Sequence, residues 1–263
     1  GPTMALISNP ARTRLTSGQL ATGIGLRQAR TVDIAPAMKQ AGYDWLFLDL
    51  EHGALGLDTT MQISSAALGA GITSLVRVPR GQYDMATRVL DGGAWGLVMP
   101  HVDTPEEARE IVDRVKYPPL GHRSVVGALP QIGFAAMPMA DASAAINANM
   151  LVVVMLESPL AIANADKIAA VPGIDALLIG ASDLSMELGI PGQYYHADMV
   201  KAFETMIAAC KTHGKWPGIG GIYTEEGLRK YVPMGITLVI AGSDLSFLMA
   251  SAGGAAKMLR GLA

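Results

Sequence analysis

The chain has 263 residues, of which half are hydrophobic and 16% are charged, so it can bury one large core or two small ones. Its formal net charge of −3 gives no reason to expect nucleic acid or an anionic membrane as partner. A single cysteine, Cys210, excludes an internal disulfide, and we expect a cytoplasmic protein.

Residues 1–4 read Gly-Pro-Thr-Met, and we interpret them as the remnant of an expression tag followed by the native start. The residues that follow lack the charged and apolar regions of a secretion signal. No uninterrupted apolar stretch is long enough to span a bilayer. These features predict a protein without a membrane partner.

Short apolar segments alternate with helically patterned stretches along the chain. We predict strands at residues 21–26, 45–50, 73–78, 95–99, 151–156, 175–180, 217–222 and 236–241. Several are continuously apolar, which is typical of parallel strands covered on both faces. Eight strands alternating with helices favour one (β/α)₈ TIM barrel domain over 1–263 rather than an open doubly wound sheet.

The connection between the fourth and fifth predicted strands is the longest. It begins with a helix signal, in which Thr104 is the N-cap, Pro105 lies in the first turn and Glu107 completes a capping box. A segment rich in proline and glycine follows at 117–134, and a second helix is predicted near 141–149. Long structured loops on such scaffolds are usually functional or lie at subunit contacts.

Polar side chains lie near or just after the carboxyl ends of four of the predicted strands. They are Asp49, Glu51, His52, Arg77, Glu157 and Asp183. Active sites of TIM barrels lie at the carboxyl ends of the strands, so these side chains are expected to converge on one rim. We therefore predict a site that combines an imidazole, a guanidinium and carboxylates.

Each of these residues also has a structural interpretation when it is taken alone. Glu157 can be a carboxylate at a helix N-terminus, and Asp183 can cap the helix that begins there. Arg77 can pair with the carboxylates of the preceding strand end. His52 can be an ordinary loop histidine. Their placement at successive strand ends favours the joint functional interpretation.

Two carboxylates without nearby cysteine favour a hard divalent cation such as Mg²⁺ or Mn²⁺. A 2-oxoacid can chelate such an ion, which would stabilise the enolate formed when an adjacent carbon–carbon bond breaks. Arg77 can stabilise the developing oxyanion, and His52 can move a proton near neutral pH. No lysine lies inside a predicted strand or at its carboxyl end, which argues against a Schiff-base mechanism.

Five segments together resemble a known family. They are AGYDWLFLDLEHG, RVLDGGAWGLVMPHVDTPEEAREIV, YPPLGHRS, MLES and IGASDLS. In order and spacing, over about residues 23–242, they resemble the class II pyruvate-dependent aldolases, which include 4-hydroxy-2-oxoheptanedioate aldolase and 2-dehydro-3-deoxyglucarate aldolase.

The resemblance implies an enzyme that uses Mg²⁺, Mn²⁺ or Co²⁺ and reversibly cleaves 4-hydroxy-2-oxoacids to pyruvate and an aldehyde. It also implies a (β/α)₈ barrel of the phosphoenolpyruvate/pyruvate type that exchanges its last helix with a neighbour. The implied assembly is a homohexamer, built as a trimer of dimers. By the same resemblance, Glu157 and Asp183 are the metal ligands, His52 is the catalytic histidine, and Arg77 faces the pyruvate oxygens.

Further positions are implied in the same way. Asp49 and Asp91 match acidic positions near the catalytic histidine, and we expect Asp49 to be the charge partner of His52. Asp91 would act across a subunit boundary, with a plain helix-end role as the alternative. Ser182 would receive the pyruvate carboxylate on its backbone amide. The role of Glu51 stays open between a hydrogen bond within the rim and support of the metal site.

The chain departs from the family pattern at several positions. Met155 replaces a glutamine that relatives often carry two residues before the metal-binding glutamate. Pro130 and Gln131 stand in a loop where many relatives have an arginine, which weakens the case for a dicarboxylate-derived aldehyde. Arg27 and Arg30 follow the first strand. They either compensate for the positive charge that the loop lacks or are solvated cations at a helix end.

Two other functions fit the same residues less well. A citrate-lyase-β-like carbon–carbon lyase acting on a CoA thioester needs a cationic phosphate site, and the long loop offers only Lys116, His122 and Arg123. A non-catalytic oxoacid-binding protein has no need of the proton-transferring histidine.

Overall fold

The computed structural model describes residues 6–263, so the suggested tag remnant at residues 1–4 lies outside the described residues. Within 6–263, no helix is both long and apolar enough to cross a membrane.

Eight parallel strands form a closed barrel in which each strand pairs with the next and the last pairs with the first. They are β1 (Ala21–Leu26), β2 (Trp45–Asp49), β3 (Thr73–Arg77), β4 (Gly96–Met99), β5 (Leu151–Leu156), β6 (Ala176–Gly180), β7 (Trp216–Gly220) and β8 (Leu238–Ser243). The (β/α)₈ prediction is confirmed, and every predicted strand end lies within two residues of the observed end.

Helices alternate with the strands around the barrel. They are α1 (Pro10–Thr16), α2 (Ile34–Ala41), α3 (Leu57–Ala70), α4 (Tyr83–Asp91), α5 (Pro105–Val115), α6 (Met139–Asn149), α7 (Pro159–Ala163), α8 (Ala165–Ala169), α9 (Ala181–Glu187), α10 (Ala197–His213), α11 (Glu225–Tyr231) and α12 (Asp244–Arg260). Helix α5 begins as predicted, because the Thr104 hydroxyl accepts the backbone N–H of Glu107 at 3.2 Å. Helix α6 corresponds to the helix predicted near 141–149.

Helix α1 packs against the amino-terminal end of the barrel. Its buried Ala11 and Leu15 join the side chains that fill the barrel interior, among them Trp45 at the start of β2. Trp45 donates a hydrogen bond to the carbonyl of Ala21 at 3.1 Å. Gly23 makes room for this indole, since a Cβ there would lie 2.3 Å from the ring. The opposite end, at the carboxyl ends of the strands, keeps a cavity.

The long segment between α5 and α6 runs toward the amino-terminal end of the barrel. Gln131 is buried there and donates hydrogen bonds to the carbonyls of Leu90 and Ala94, at 2.6 and 2.9 Å, just before β4 begins. Within this chain, the position where many relatives have an arginine therefore lies away from the carboxyl ends of the strands.

Helix α12 has no buried side chain within the described chain. Phe247, Leu248 and Met249 are all exposed on it. A capping box between Ser243 and Ser246 fixes its first turn. An exposed apolar helix is the state expected of an element that packs on another subunit, and the exchange of the last helix stays a prediction for this single chain.

Candidate active site

A cavity of about 480 Å³ opens at the carboxyl ends of the barrel strands. The predicted site residues that line it are Asp49, His52, Arg77, Glu157, Ser182 and Asp183. They come from the ends of β2, β3, β5 and β6 and from the loops or helices that follow. The barrel therefore brings together, in one cavity, side chains that are far apart in the sequence.

Asp49 and Arg77 end neighbouring strands and are paired in register. Arg77 Nε donates to Asp49 Oδ1 at 3.0 Å, and Nη2 donates to Oδ2 at 2.7 Å. Burial lowers the pKa of Arg77, but the hydrogen bond that it donates to Asp49 and the charges of Asp49, Glu51 and Glu157 raise it, and the net shift of the pKa is upward. The guanidinium is thus a fixed and permanently charged group.

Asp49 also organises the turn that carries the catalytic histidine candidate. Its Oδ1 accepts the backbone N–H groups of Glu51 at 2.9 Å and His52 at 3.2 Å. The partnership expected between Asp49 and His52 thus runs through the backbone of His52, while the charge partner of Asp49 is Arg77. The His52 side chain is 62% exposed, which leaves its ring at the entrance of the cavity.

Glu51 lies between the guanidinium and two imidazoles. Its Oε2 is 3.1 Å from Arg77 Nε. Its Oε1 is 3.2 Å from His101 Nε2 and 3.9 Å from His52 Nε2. Glu51 therefore lies between the His52 side and the His101 side of the site, and its Oε2 is a buried atom without a hydrogen-bond partner among the described residues.

His101 is a site residue that the sequence reasoning did not single out. Its backbone N–H donates to Glu157 Oε2 at 2.7 Å, and its Nδ1 is 3.2 Å from the same oxygen. Its Nε2 is 4.0 Å from Asp183 Oδ2. A φ of 53° holds the residue in the left-handed region, a strained conformation that often marks functional sites. Its place two residues after β4 was the available signal, since chemistry follows strand ends.

His101, Glu157 and Asp183 form a group that can hold a metal ion, with one ligand atom from each lying within 4.8 Å of the others. Burial raises the pKa of Glu157 to about 7; the nearby His101 lowers it, and the charges of Asp183 and Glu51 raise it. Two carboxylates and an imidazole suit a divalent cation, which would also offset the charge of this buried carboxylate. The donor set therefore fits the metal that the resemblance implies.

Two cavity residues shape the surroundings of Arg77 and Glu157. Met155 Sδ accepts a weak hydrogen bond from Arg77 Nη1 at 3.7 Å, so the thioether occupies the place where relatives often have an amide. Gly180 gives the Glu157 side chain its room, because a Cβ at Gly180 would lie 2.6 Å from Glu157 Oε1.

The start of α9 borders a space that only glycine leaves open. Gly221 has a φ of +88°, and a Cβ there would lie 3.1 Å from the backbone nitrogen of Ser182 and 3.2 Å from that of Ala181. First-turn N–H groups have no partner within their own helix. The Ser182 hydroxyl lies 3.3 Å from the Tyr194 hydroxyl.

This arrangement agrees with a known family. Residues 27–249 match the family described as HpcH/HpaI aldolase/citrate lyase. The chain belongs to the HpcH/HpaI family. The resemblance to metal-dependent pyruvate aldolases is therefore confirmed at the level of the family.

HpcH/HpaI relatives align over most of the chain. A 4-hydroxy-4-methyl-2-oxoglutarate aldolase of Hapsidospora irregularis is 39% identical over 230 residues, which are 87% of this chain and 85% of the relative. A 5-keto-4-deoxy-D-glucarate aldolase of Salmonella paratyphi C is 34% identical, over 94% of this chain and 95% of the relative. The crystal structure of an HpcH/HpaI aldolase from Desulfitobacterium hafniense is similar with a TM-score of 0.89 and 29% identity, covering 95% of this chain and 96% of that one.

Asp91 does not line the cavity of this HpcH/HpaI chain. It is the last residue of α4, and its Oδ1 accepts a hydrogen bond from Arg123 Nη2 at 2.7 Å. The Arg123 guanidinium is buried over the ring of Tyr117, 4.3 Å from its centroid. Within one subunit Asp91 is therefore part of a salt bridge outside the cavity lining, and its role across a subunit boundary stays a prediction.

Proposed function

We propose that this chain is a divalent-metal-dependent lyase that reversibly cleaves 4-hydroxy-2-oxoacids to pyruvate and an aldehyde. The observation that carries the proposal is the group of His101, Glu157 and Asp183, of which Glu157 and Asp183 line the same cavity as the fixed guanidinium of Arg77. A cation site beside a permanent positive charge suits a reaction that develops negative charge on an oxygen. Membership of the HpcH/HpaI family supports the same chemistry.

Glu157 and Asp183, with His101 beside them, would hold the cation, for which Mg²⁺, Mn²⁺ and Co²⁺ are the candidates. The bound cation would supply Lewis-acid stabilisation to the oxygens of a 2-oxoacid.

Arg77 supplies a second positive charge at the reacting centre. Asp49 occupies its Nε and Nη2 atoms, while Nη1 contacts only the Met155 thioether among the described residues. A thioether is a weak acceptor, so Nη1 is the donor best able to turn to a substrate oxygen. Because its partners already fix the guanidinium, little reorganisation is needed when charge develops on the enolate oxygen.

His52 would move the proton. In cleavage it accepts the proton of the C4 hydroxyl, the C3–C4 bond breaks, and its electron pair passes into the pyruvate enolate. C4 leaves as the carbonyl carbon of the aldehyde, and C3 of the enolate then takes up a proton to give pyruvate. Asp49 holds the backbone of His52 in place during these steps.

The remaining proposals concern the carboxylate of pyruvate and the assembly. The backbone amide of Ser182 would receive the carboxylate, in the space that Gly221 leaves beside it. A homohexamer, assembled as a trimer of dimers, would cover the exposed apolar side chains of α12. In that assembly Asp91 would act across a subunit boundary. The lone buried Cys210 is compatible with a cytoplasmic location.

The test is aldol cleavage of 4-hydroxy-2-oxoacids by the purified chain. Activity is expected to disappear with a strong chelator and return with Mn²⁺, Co²⁺ or Mg²⁺, and His52→Ala is expected to lose it. Full aldol activity in His52→Ala would contradict the proton-transfer role. Cleavage of a CoA thioester without any cleavage of 2-oxoacids would contradict the proposal as a whole.

A further inference from the structure

One cation in the cavity has no partner among residues 6–263. Arg27 follows β1 and lines the cavity, yet no hydrogen bond or ion pair of its guanidinium is found within the described part of the chain. Arg77, in contrast, is held by Asp49 and Glu51. A lining cation without a protein partner is available to an anionic group of a ligand.

The backbone that carries Arg27 is fixed. The Asp244 carboxylate accepts the N–H of Arg27 at 2.9 Å, and those of Gln28 and Ala29 at 2.8 Å each. Asp244 is the first residue of α12, directly after the N-cap Ser243. These three hydrogen bonds fix the backbone position of Arg27, which limits the region beside the cavity that its guanidinium can reach.

Tyr223 lies in the same cavity, after β7, and its hydroxyl has no hydrogen-bond partner among the described residues. Burial raises the pKa of Tyr223, while the charges of Arg77 and Arg27 lower it. The phenol therefore lies in the field of both guanidinium groups and remains a hydrogen-bond donor at neutral pH.

The other charges that line the cavity indicate what Arg27 and Tyr223 can do for a substrate. Asp49, Glu157 and Asp183 make the reacting end of the cavity acidic, apart from Arg77. A second carboxylate on the substrate would be repelled there unless a cation faced it. Arg27 is the cation in position to do so.

We propose that Arg27, assisted by the Tyr223 hydroxyl, determines specificity by binding a carboxylate on the carbonyl acceptor that condenses with pyruvate. The assignment rests on the proposed aldolase function. In the synthetic direction, C3 of the pyruvate enolate attacks the acceptor carbonyl carbon, the C3–C4 bond forms, and the acceptor oxygen takes up a proton. Arg27 contacts neither reacting carbon, so its effect falls on acceptor binding.

The acceptor carboxylate can come from two sources. In a 2-oxoacid, such as glyoxylate or a second pyruvate, it is adjacent to the carbonyl that reacts. In an aldehyde such as succinate semialdehyde it lies at the far end of the molecule. Neutral partners of similar size, glycolaldehyde and butanal, provide the comparison for glyoxylate and succinate semialdehyde.

The experiment measures kcat/KM for each acceptor at saturating pyruvate and Mn²⁺ with Arg27→Gln and Tyr223→Phe. The matched control is Arg30→Gln, because the exposed Arg30 side chain bonds only to the carbonyls of Arg27 and Ala29 among the described residues. A lost charge-assisted hydrogen bond corresponds to a decrease of about 10- to 100-fold. We expect that decrease in Arg27→Gln for a carboxylate acceptor, mainly through KM, with neutral acceptors changed less than about twofold.

Tyr223→Phe is expected to show a smaller decrease in kcat/KM that is also confined to carboxylate acceptors. Arg30→Gln is expected to show no decrease. A selective loss with glyoxylate assigns the 2-oxoacid source, and one with succinate semialdehyde assigns the source with the distant carboxylate. Equal losses for charged and neutral acceptors, or no loss in Arg27→Gln, would overturn the assignment.

Hydrogen–deuterium exchange at the methyl group of pyruvate separates this inference from the proposed function, because exchange needs no acceptor. Exchange that Arg27→Gln retains shows that the variant is folded and that the pyruvate half of the site works. If the unsubstituted chain exchanges the methyl protons but Arg27→Gln leaves the acceptor kinetics unchanged, the inference is overturned and the proposed function stands. A chain that neither exchanges nor condenses overturns the proposed function and the inference with it.

Discussion

Arg77 and Asp49 form a two-point salt bridge across neighbouring strands, with Nε–Oδ1 and Nη2–Oδ2 distances of 3.0 and 2.7 Å. Both side chains are largely buried, at 13% and 5% exposed. One carboxylate thereby fixes the guanidinium and also binds the backbone of the turn that carries His52. The positive charge and the proton-transferring group of the proposed site share a single anchor.

Asp49→Asn is therefore expected to impair both stability and turnover. Removing one charge of a buried pair leaves the other without compensation, which destabilises a protein by about 3 kcal/mol or more. We expect a lower Tm in thermal unfolding and a decrease in kcat of at least about tenfold, because Arg77 loses its fixed orientation.

Asp44→Asn provides the control for this variant. Asp44 precedes the other end of β2, where it accepts the backbone N–H of Thr22 at 2.9 Å and lies 3.3 Å from Arg14. Its loss is expected to lower stability while kcat at saturating metal stays near that of the parent. Equal effects of both variants on kcat would contradict the assigned role of Asp49.

His101→Ala is expected to weaken Mn²⁺ binding by about 10- to 100-fold, as removal of groups that ligate or orient a metal site usually does. The reason is the position of its ring nitrogens beside Glu157 and Asp183. Isothermal titration calorimetry measures the affinity, and the visible absorption of the Co²⁺-loaded protein reports a change in the ligands. His122→Ala is the control, since His122 is exposed and is not among the residues that line the cavity. Unchanged affinity and spectrum in His101→Ala would place His101 outside the metal site.

Metal binding is expected to weaken as the pH falls. The pKa of Glu157 is raised to about 7 by burial, so below that pH the metal-free protein carries a proton on this carboxyl that the cation must displace. Mn²⁺ affinity should decrease by up to about tenfold per pH unit below the pKa. Calorimetry in buffers of different ionisation enthalpy should detect proton release near pH 6 (below the pKa), and no release there would contradict the assignment.

The same raised pKa has a consequence for the stability of the metal-free protein. A carboxyl whose pKa is higher in the folded than in the unfolded state contributes stability below its unfolded value of 4.5, and loses that contribution as the pH rises through about 7. Glu157→Gln removes this titration. Denaturant unfolding should therefore show that the metal-free parent loses stability relative to Glu157→Gln between these two pH values, and parallel curves would contradict this prediction.

Gly180→Ala tests how narrowly Glu157 is placed. The added Cβ would lie 2.6 Å from Glu157 Oε1 and 2.9 Å from Met155 Cε, so the carboxylate must move. We expect weaker Mn²⁺ binding and lower activity while the circular dichroism spectrum is retained. Gly69→Ala is the control, because nothing lies within 4 Å of a Cβ at that position. Normal metal affinity in Gly180→Ala would show that the position of Glu157 is not restricted in this way.

The sequence predicted the barrel well because its strands are short apolar runs, a pattern that does not depend on distant contacts. The rule that the chemistry of a barrel lies at its strand ends predicted that Glu157 and Asp183 would lie near Arg77, and all three line one cavity. His101 lies two residues after the end of β4, so the same rule points to it, but the rule does not reveal its contact with Glu157. Its contribution depends on a left-handed backbone, with φ at 53°, and on the pairing of β4 with β5, which places the end of β4 beside Glu157.

Other features required the three-dimensional path of the chain. The family resemblance places Gln131 in a loop where an arginine would face the substrate. The segment that carries Gln131 instead turns toward the amino-terminal end of the barrel, where its side chain donates hydrogen bonds to main-chain carbonyls. Arg27 could be read as either a compensating or a solvated charge, and its place in the cavity lining could not be seen from the sequence. The roles proposed for Asp91 and α12 involve a second subunit, which no single-chain pattern or fold describes.

The most direct test of the central claim is the loss of the methyl proton signal of pyruvate in D₂O, followed by NMR with the purified chain. Metal-dependent enolisation predicts rapid deuterium incorporation with Mn²⁺, its arrest by a strong chelator and its return when Mn²⁺ is restored. Pyruvate binding without deuterium incorporation, or incorporation that a chelator leaves unchanged, would contradict the account.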